Sequence, residues 1–289
     1  MKSPRVNVGS RLLQLARDRS ARVISVVGTA KGVGKTTALL AIYRAAVDAG
    51  LRVGFASAGY RARLPLRAGT IFATARTLLP AAPAPVVLRT TALQTPSGTL
   101  VYARTMHESE CDVIGPSTAT GLREAVAFVG TRCDLVLVDG AVDRLAMLAG
   151  SAGIIVVACG AAGAKSEAEA IEEVAALTER LRVPVVDPDK DIVAIATALT
   201  PSIADALLRS GETRQIVVDD ATQIALHGRG LAHAMRQLRM RCRYPLEIAA
   251  VTTCALGPER SFEPARFCDV VAARTGLPAF DIFAAREAA

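Results

Sequence analysis

The ten residues Gly28-Thr29-Ala30-Lys31-Gly32-Val33-Gly34-Lys35-Thr36-Thr37 carry the clearest chemistry in the chain. Gly28, Gly32 and Gly34 free the backbone to wrap closely around a phosphate. A helix starting at Lys35 presents unpaired N–H groups and partial positive charge to the same anion. Lys35 can then reach the β- and γ-phosphates of a nucleoside triphosphate, and the Thr36 hydroxyl can ligate Mg²⁺. Thr37 adds a contact near the α-phosphate. The strict P-loop spacing places its first glycine at position 29, which is Thr here; Gly28 stands one residue earlier.

A metal-bound nucleotide also needs a carboxylate at the carboxyl edge of a sheet. Asp139 closes the apolar run 134–140 and is the natural Walker B acid, holding a Mg²⁺-bound water beside Thr36. Asp134 lies at the wrong end of that run, and Asp143 is a further acid just beyond it. The expected catalytic groups are therefore Lys35 and Asp139, and the expected metal-binding groups Thr36 and Asp139. The cofactors are ATP, with GTP left open, and Mg²⁺.

Other segments have plainer readings. Gly115-Pro116-Ser117-Thr118 reads as a helix N-cap with Pro near N1, with an anion site as the alternative. Lys165-Ser166 follows a glycine-containing loop after a strand, and so is a candidate to approach the nucleotide. Asp219-Asp220 reads as a solvated turn before it reads as a metal site. His107, His227 and His233 have no Ser, Asp or Cys partner at diagnostic spacing.

These residues must be held by strands and helices, and the periodicity supplies them. A β-rich run at 22–28 leads into the loop, a helix spans 35–49 with Gly50 after it, and a second strand covers 51–57. This βαβ unit demands a right-handed crossover and a parallel strand pair. Strands at 86–92 and 99–104 flank the turn 95–98 and form a hairpin at the sheet edge or as an insertion. A helix runs from about 118 to 129, core strands lie at 134–140 and 153–159, and a strong helix spans 165–181. After 185, strands are expected at 191–198, 214–219, 246–252 and 278–283, with helices at 202–209 and 262–274 among them. A short amphipathic helix covers 11–17.

Composition narrows the class. About half of the 289 residues are hydrophobic, and there is no Trp, so the core is built from Ala, Val, Leu and Ile. That suits a parallel sheet covered by helices. The formal charge is +7. No zinc-finger spacing or basic–aromatic interleaving accompanies it, so no specific nucleic-acid binding is expected. The six cysteines form no CxxC pair, and buried reduced thiols fit a cytoplasmic protein. No signal peptide is recognised, and the apolar stretch 151–164 is too short to span a bilayer, so no membrane association is expected.

The loop resembles the deviant Walker A of the SIMIBI class of P-loop proteins, which includes the ParA/MinD ATPases and dethiobiotin synthetase. The signature lysine of many members would stand at Ala30; Lys31 is one residue later. A fuller resemblance is to the KamB family, proposed reactivase subunits for cobalamin-dependent lysine 5,6-aminomutase and ornithine aminomutase. It is carried by the loop in the form G-x-A-K-x-x-G-K-T-T, then by residues 69–75, 90–98, 115–117 and 134–141, in the family's order. Ser261-Phe262-Glu263-Pro264 and Pro278-Ala279-Phe280-Asp281 resemble its C-terminal end.

The family's acidic segment after the second strand is replaced here by Ala58-Gly59-Tyr60-Arg61-Ala62-Arg63. Indeed residues 49–107 contain no Asp or Glu, while Arg recurs at 52, 61, 63, 67, 76, 89 and 104. A Mg²⁺-water acid must then come from Asp139 or Asp143, and the arginines are either scattered and solvated or grip phosphates or an acidic partner.

The expectation is thus an α/β fold: a P-loop NTPase with a mostly parallel doubly wound sheet, SIMIBI-like, over 1–185, plus a smaller C-terminal α/β region over 186–289. The resemblance implies a reactivase with weak ATP hydrolysis, coupled to release of damaged cofactor. Its implied partners are a cobalamin-dependent aminomutase and a MutS-related ATPase; self-association into a homo-oligomer is left open. The alternatives are an ATP-dependent ligase or kinase similar to dethiobiotin synthetase, and a GTPase metallochaperone. The last lacks an Asn-Lys-x-Asp guanine motif.

Overall fold

Short β-branched runs make the strands, and helical-period segments between them make the cover. The computed structural model describes residues 7–58, 61–140 and 153–283. In chain order the elements begin α1 (Val8–Asp18), β1 (Val23–Gly28), α2 (Lys35–Asp48), β2 (Val53–Ser57), β3 (Ala62–Leu66) and β4 (Ile71–Ala75). Next come β5 (Val86–Thr95), β6 (Gly98–Arg104), β7 (Ser109–Val113), α3 (Ala119–Gly130), β8 (Leu135–Asp139), β9 (Gly153–Gly160) and α4 (Glu167–Leu181). The C-terminal part holds β10 (Ile192–Ala194), α5 (Pro201–Arg209), β11 (Gln215–Val218), α6 (Gly228–Gln237), β12 (Arg239–Cys242), β13 (Ile248–Cys254), α7 (Pro264–Thr275) and β14 (Ala279–Asp281).

One sheet has the order β14-β13-β9-β1-β8-β2-β4-β6-β5. Pairing is parallel from β14 through β4, and antiparallel only for β4–β6 and β6–β5. β1 therefore lies at the centre, completely flanked. Its side chains alternate between two cores. Ile24 and Val26 meet Leu12 of α1 and Leu39 and Ile42 of α2 in one buried cluster. Val27 belongs to the opposite cluster, with Leu122 of α3, Val174 of α4 and Phe267 of α7. Helices on both faces of a mostly parallel sheet make this a doubly wound α/β fold.

After α4 the chain leaves this sheet and builds a small parallel sheet, β10-β11-β12, with its own core around Leu199, Ile216, Leu231 and Met240. It then returns, and β13 and β14 extend the large sheet beside β9. Residue 185 thus falls between strands of a single sheet.

The hairpin of residues 86–104 is present and forms the sheet edge. The sequence pattern did not reveal β4, or the antiparallel pair β3–β7. β3 carries Pro65 and an exposed arginine, Arg63, which mask its alternation; Arg63 stands opposite Asp112, and Pro65 opposite Glu110. α6 and β12 were equally illegible. α6 contains Gly228 and Gly230, poor helix formers, and it is held by tertiary burial of Leu231 and Ala234.

Candidate functional site

The loop 28–34 leaves the carboxyl end of β1 at the middle of the sheet, where ligands bind in this architecture. Its shape follows from its glycines. Gly32 and Gly34 adopt φ of +84° and +86°, in the left-handed region that side chains avoid. Gly34 is also the N-cap of α2, and no side chain caps that helix. The first-turn N–H groups therefore face the loop without a side-chain acceptor. A Cβ on Gly28 would press on the side chains of Val33 and Lys35, at 2.8 and 2.9 Å. Gly28 is thus required by the packing of the loop itself, although it stands one position early.

Neighbouring segments brace the loop. Thr29 N–H donates to Ala158 of β9 at 3.0 Å. Gly32 packs on Ala162, Gly163 on Ala30, and Gly34 on Ile282 and Cys254. The loop after β9 and the chain after β14 are thus walls of the site. Val33 is buried, whereas Lys31, Gly32 and Thr36 are exposed and Thr37 is half-buried. The hydroxyl expected to meet Mg²⁺ faces outward.

Lys35 donates from its ammonium to the Ala30 carbonyl oxygen at 2.6 Å, so its side chain folds back across the loop. Parallel pairing of β8 between β1 and β2 puts Asp139 opposite Val26 and Ser57. The carboxylate and the ammonium share one desolvated corner. Burial lowers the Lys35 pKa, and the Asp139 charge works against that shift. Burial raises the Asp139 pKa, and Lys35 opposes it. Each therefore lacks part of the charge compensation it needs, which a polyphosphate and a divalent cation supply in opposite senses. A hydroxyl and a carboxylate are hard oxygen donors, the set that suits Mg²⁺. The structure thus brings together Gly28 through Thr37 and Asp139, while Asp143 lies outside the described residues.

Several of the remaining sequence candidates have structural roles. Thr118 caps α3, accepting from Gly121 N–H at 3.1 Å. Ser166 caps α4 through Glu169 N–H at 3.1 Å, and the Lys165 carbonyl accepts from Arg260. Asp220 accepts from the Thr222 N–H and hydroxyl, and Asp219 pairs with Arg243. Among the described residues no group of three or more His, Cys, Asp or Glu is arranged to hold a metal ion. Asp134 is bound to Arg52 at the far end of β8. Four arginines of the acid-free stretch are structural: Arg52 pairs with Asp134, Arg61 with Asp112, Arg63 with Glu110 and Arg67 with Asp48. Their partners lie outside the stretch, so sequence proximity gave no sign of them.

One feature of the site had no sequence signal. A cleft of about 490 Å³ opens beside Gly28 and Thr29, between α4 and the start of α6.

Residues 13–75, which hold the second half of α1, the loop, α2 and β1 through β4, match a family described as "Domain of unknown function (DUF1611_C) P-loop domain". No curated protein matches the chain. Among solved structures, the chain is similar to the BceF tyrosine kinase domain, with 18% identity and a TM-score of 0.32 over 57% of this chain and 68% of that one. It is also similar to the chimerical protein CapA2B2, with 17% identity and a TM-score of 0.33 over 61% of this chain and 81% of that one. No helix among the described residues is long and apolar enough to cross a membrane.

Proposed function

We propose that this chain binds ATP with Mg²⁺ at residues 28–37 and Asp139, and acts as a cytoplasmic reactivase subunit for a cobalamin-dependent aminomutase. The observation that carries the nucleotide reading is the shared corner of the Gly34 bend, the uncapped amino end of α2, Lys35 and Asp139. The P-loop match over residues 13–75 supports it. Lys35 swings from Ala30 to the β- and γ-phosphates; the α2 amides hold the β-phosphate. Thr36 and Asp139 would hold Mg²⁺, directly or through its water, and the ion supplies charge neutralisation on the phosphates. Nucleotide state acts mainly as a conformational signal to the mutase and a MutS-related ATPase, with weak hydrolysis resetting it. The order of sequence blocks shared with the KamB family supports this narrower role.

The test is reactivation. Aminomutase inactivated with hydroxocobalamin is incubated with this chain, the MutS-related ATPase, adenosylcobalamin and MgATP. Recovery of mutase activity that requires ATP and is lost with Lys35→Ala is expected. Nucleotide binding without any recovery would remove the reactivase role and leave the site intact. The cleft beside Gly28 and Thr29 favours one second reading, an ATP-dependent ligase or kinase, which predicts a phosphorylated or ligated small product instead.

A further inference from the structure

The cleft beside the loop has two poles of opposite charge on one helix. α4 starts at the carboxyl edge of the sheet, so Glu169 and Glu173 lie nearest the loop, with Thr29 in the same wall. They are four residues apart and face the same side of the helix. Burial raises the Glu173 pKa, and the Glu169 charge raises it further. Glu172, the remaining acid of the wall, is already held by Arg274 at 3.0 Å, and one Glu169 oxygen accepts from the Lys165 N–H, which leaves its other oxygen for a ligand.

Arg180 lies at the other end of α4. Seven residues beyond Glu173 is about 10 Å along a helix. Its Nε is fully buried and has no hydrogen-bond partner. Desolvation lowers its pKa. A partly buried guanidinium that lines a cleft gains a charge-assisted partner when a ligand carboxylate reaches its outer nitrogens. The amino end of α6, which has no side-chain cap, opens on the same cleft. Between the poles the wall is apolar: Ala176, Leu177, Leu226 and Leu231.

We propose that this cleft binds a small ω-amino carboxylate, with its carboxylate on Arg180, its methylene chain on Leu177, Leu226 and Leu231, and its ammonium between Glu169 and Glu173 beside Thr29. A polyanion is disfavoured by the glutamates and a simple cation by Arg180. A net-neutral bipolar molecule of about 8–10 Å satisfies both ends, matching the helical rise between them. The site goes beyond the nucleotide reading and stands without it.

The test is a binding titration of the purified chain, by calorimetry or ligand-observed NMR, with 6-aminohexanoate, hexanoate and hexylamine. Wild type is expected to bind 6-aminohexanoate at least about 10-fold more tightly than either single-ended probe, the equivalent of about 1.4 kcal/mol. Arg180→Met should abolish the preference over hexylamine, and Glu173→Gln should weaken the preference over hexanoate. Ala176→Leu, which fills the apolar floor, should block all three probes and serves if the Arg180 variant fails to fold. Lys35→Ala should lose MgATP and keep 6-aminohexanoate, so failure of the nucleotide site is distinguished from failure of the cleft. Equal affinity for the three probes, no saturable binding by wild type, or binding unchanged in Ala176→Leu would overturn the proposal.

Discussion

At the residue scale, burial shifts Lys35 and Asp139 towards their neutral forms, and both shifts have consequences for binding. In the proposed complex the triphosphate selects the Lys35 ammonium. Affinity should therefore be full below the lowered Lys35 pKa and decline as pH rises through it, at a lower pH than an ordinary lysine would show. The loss approaches the worth of one charged hydrogen bond, about 1.5–3 kcal/mol. In the proposed complex Mg²⁺ selects the Asp139 carboxylate, whose pKa is raised, so metal-dependent affinity should fall on the acid side above the usual carboxylate range. A fluorescent ATP analogue titrated across pH measures both limbs; Lys35→Arg should flatten the alkaline one. A pH-independent wild-type affinity would contradict the shared corner. Gly34 supports a second expectation. Gly34→Ala places a methyl at φ +86° and into Ile282 and Cys254. It should destabilise the fold by at least about 1–2 kcal/mol from the backbone alone and weaken nucleotide binding. Wild-type urea midpoints would argue that the bend is not strained by a side chain.

At the scale of elements, the ion pairs decide how the ends of strands are joined. Asp134, at the amino end of β8, accepts from the Arg52 guanidinium at 2.7 and 3.1 Å and from the Arg52 N–H at 2.9 Å. These bonds hold its pKa down at about 2. Because the folded value is depressed, the contribution to stability is present above the ordinary carboxylate pKa and is lost as pH falls towards 2. Arg52→Ala should therefore lower the urea midpoint at pH 5 to 7, with the gap to wild type closing as pH approaches 2. A gap constant across that range would mean the guanidinium acts through packing alone. The sequence revealed such elements unevenly. The hairpin β5–β6 was legible from its turn residues, and α4 from its spacing and acidic first turn. β3 and β7 were not, because each has meaning only when its charged face meets the other.

At the scale of the molecule, the site is the junction of four distant segments: the loop after β1, the end of β8, the loop after β9 and the chain after β14. A ligand that ties them together should stabilise the whole fold. At 100 times its Kd, MgATP adds about 2.7 kcal/mol, a rise in Tm of several degrees for a chain of this size. Lys35→Ala should remove that rise while leaving the unliganded protein within about 0.5 kcal/mol of wild type, since Lys35 is itself disfavoured by burial. Differential scanning fluorimetry with and without MgATP reads both values. A variant that keeps the full nucleotide-dependent rise would place the triphosphate elsewhere.

The sequence alone determined the phosphate-binding bend, the strands and helices of strong period, and the apolar, aromatic-poor core that demands a covered parallel sheet. Each of these is set by residues within one or two turns of each other, so turn chemistry and periodicity report them directly. Tertiary structure alone decided that β13 and β14 rejoin the central sheet, that four arginines find acids outside their own stretch, and that α4 and α6 enclose a cleft with opposite charges at its ends. Those outcomes depend on which distant faces bury one another. A pairing between segments far apart in the chain leaves no local pattern, because either partner by itself is only a solvated charge or a short apolar run.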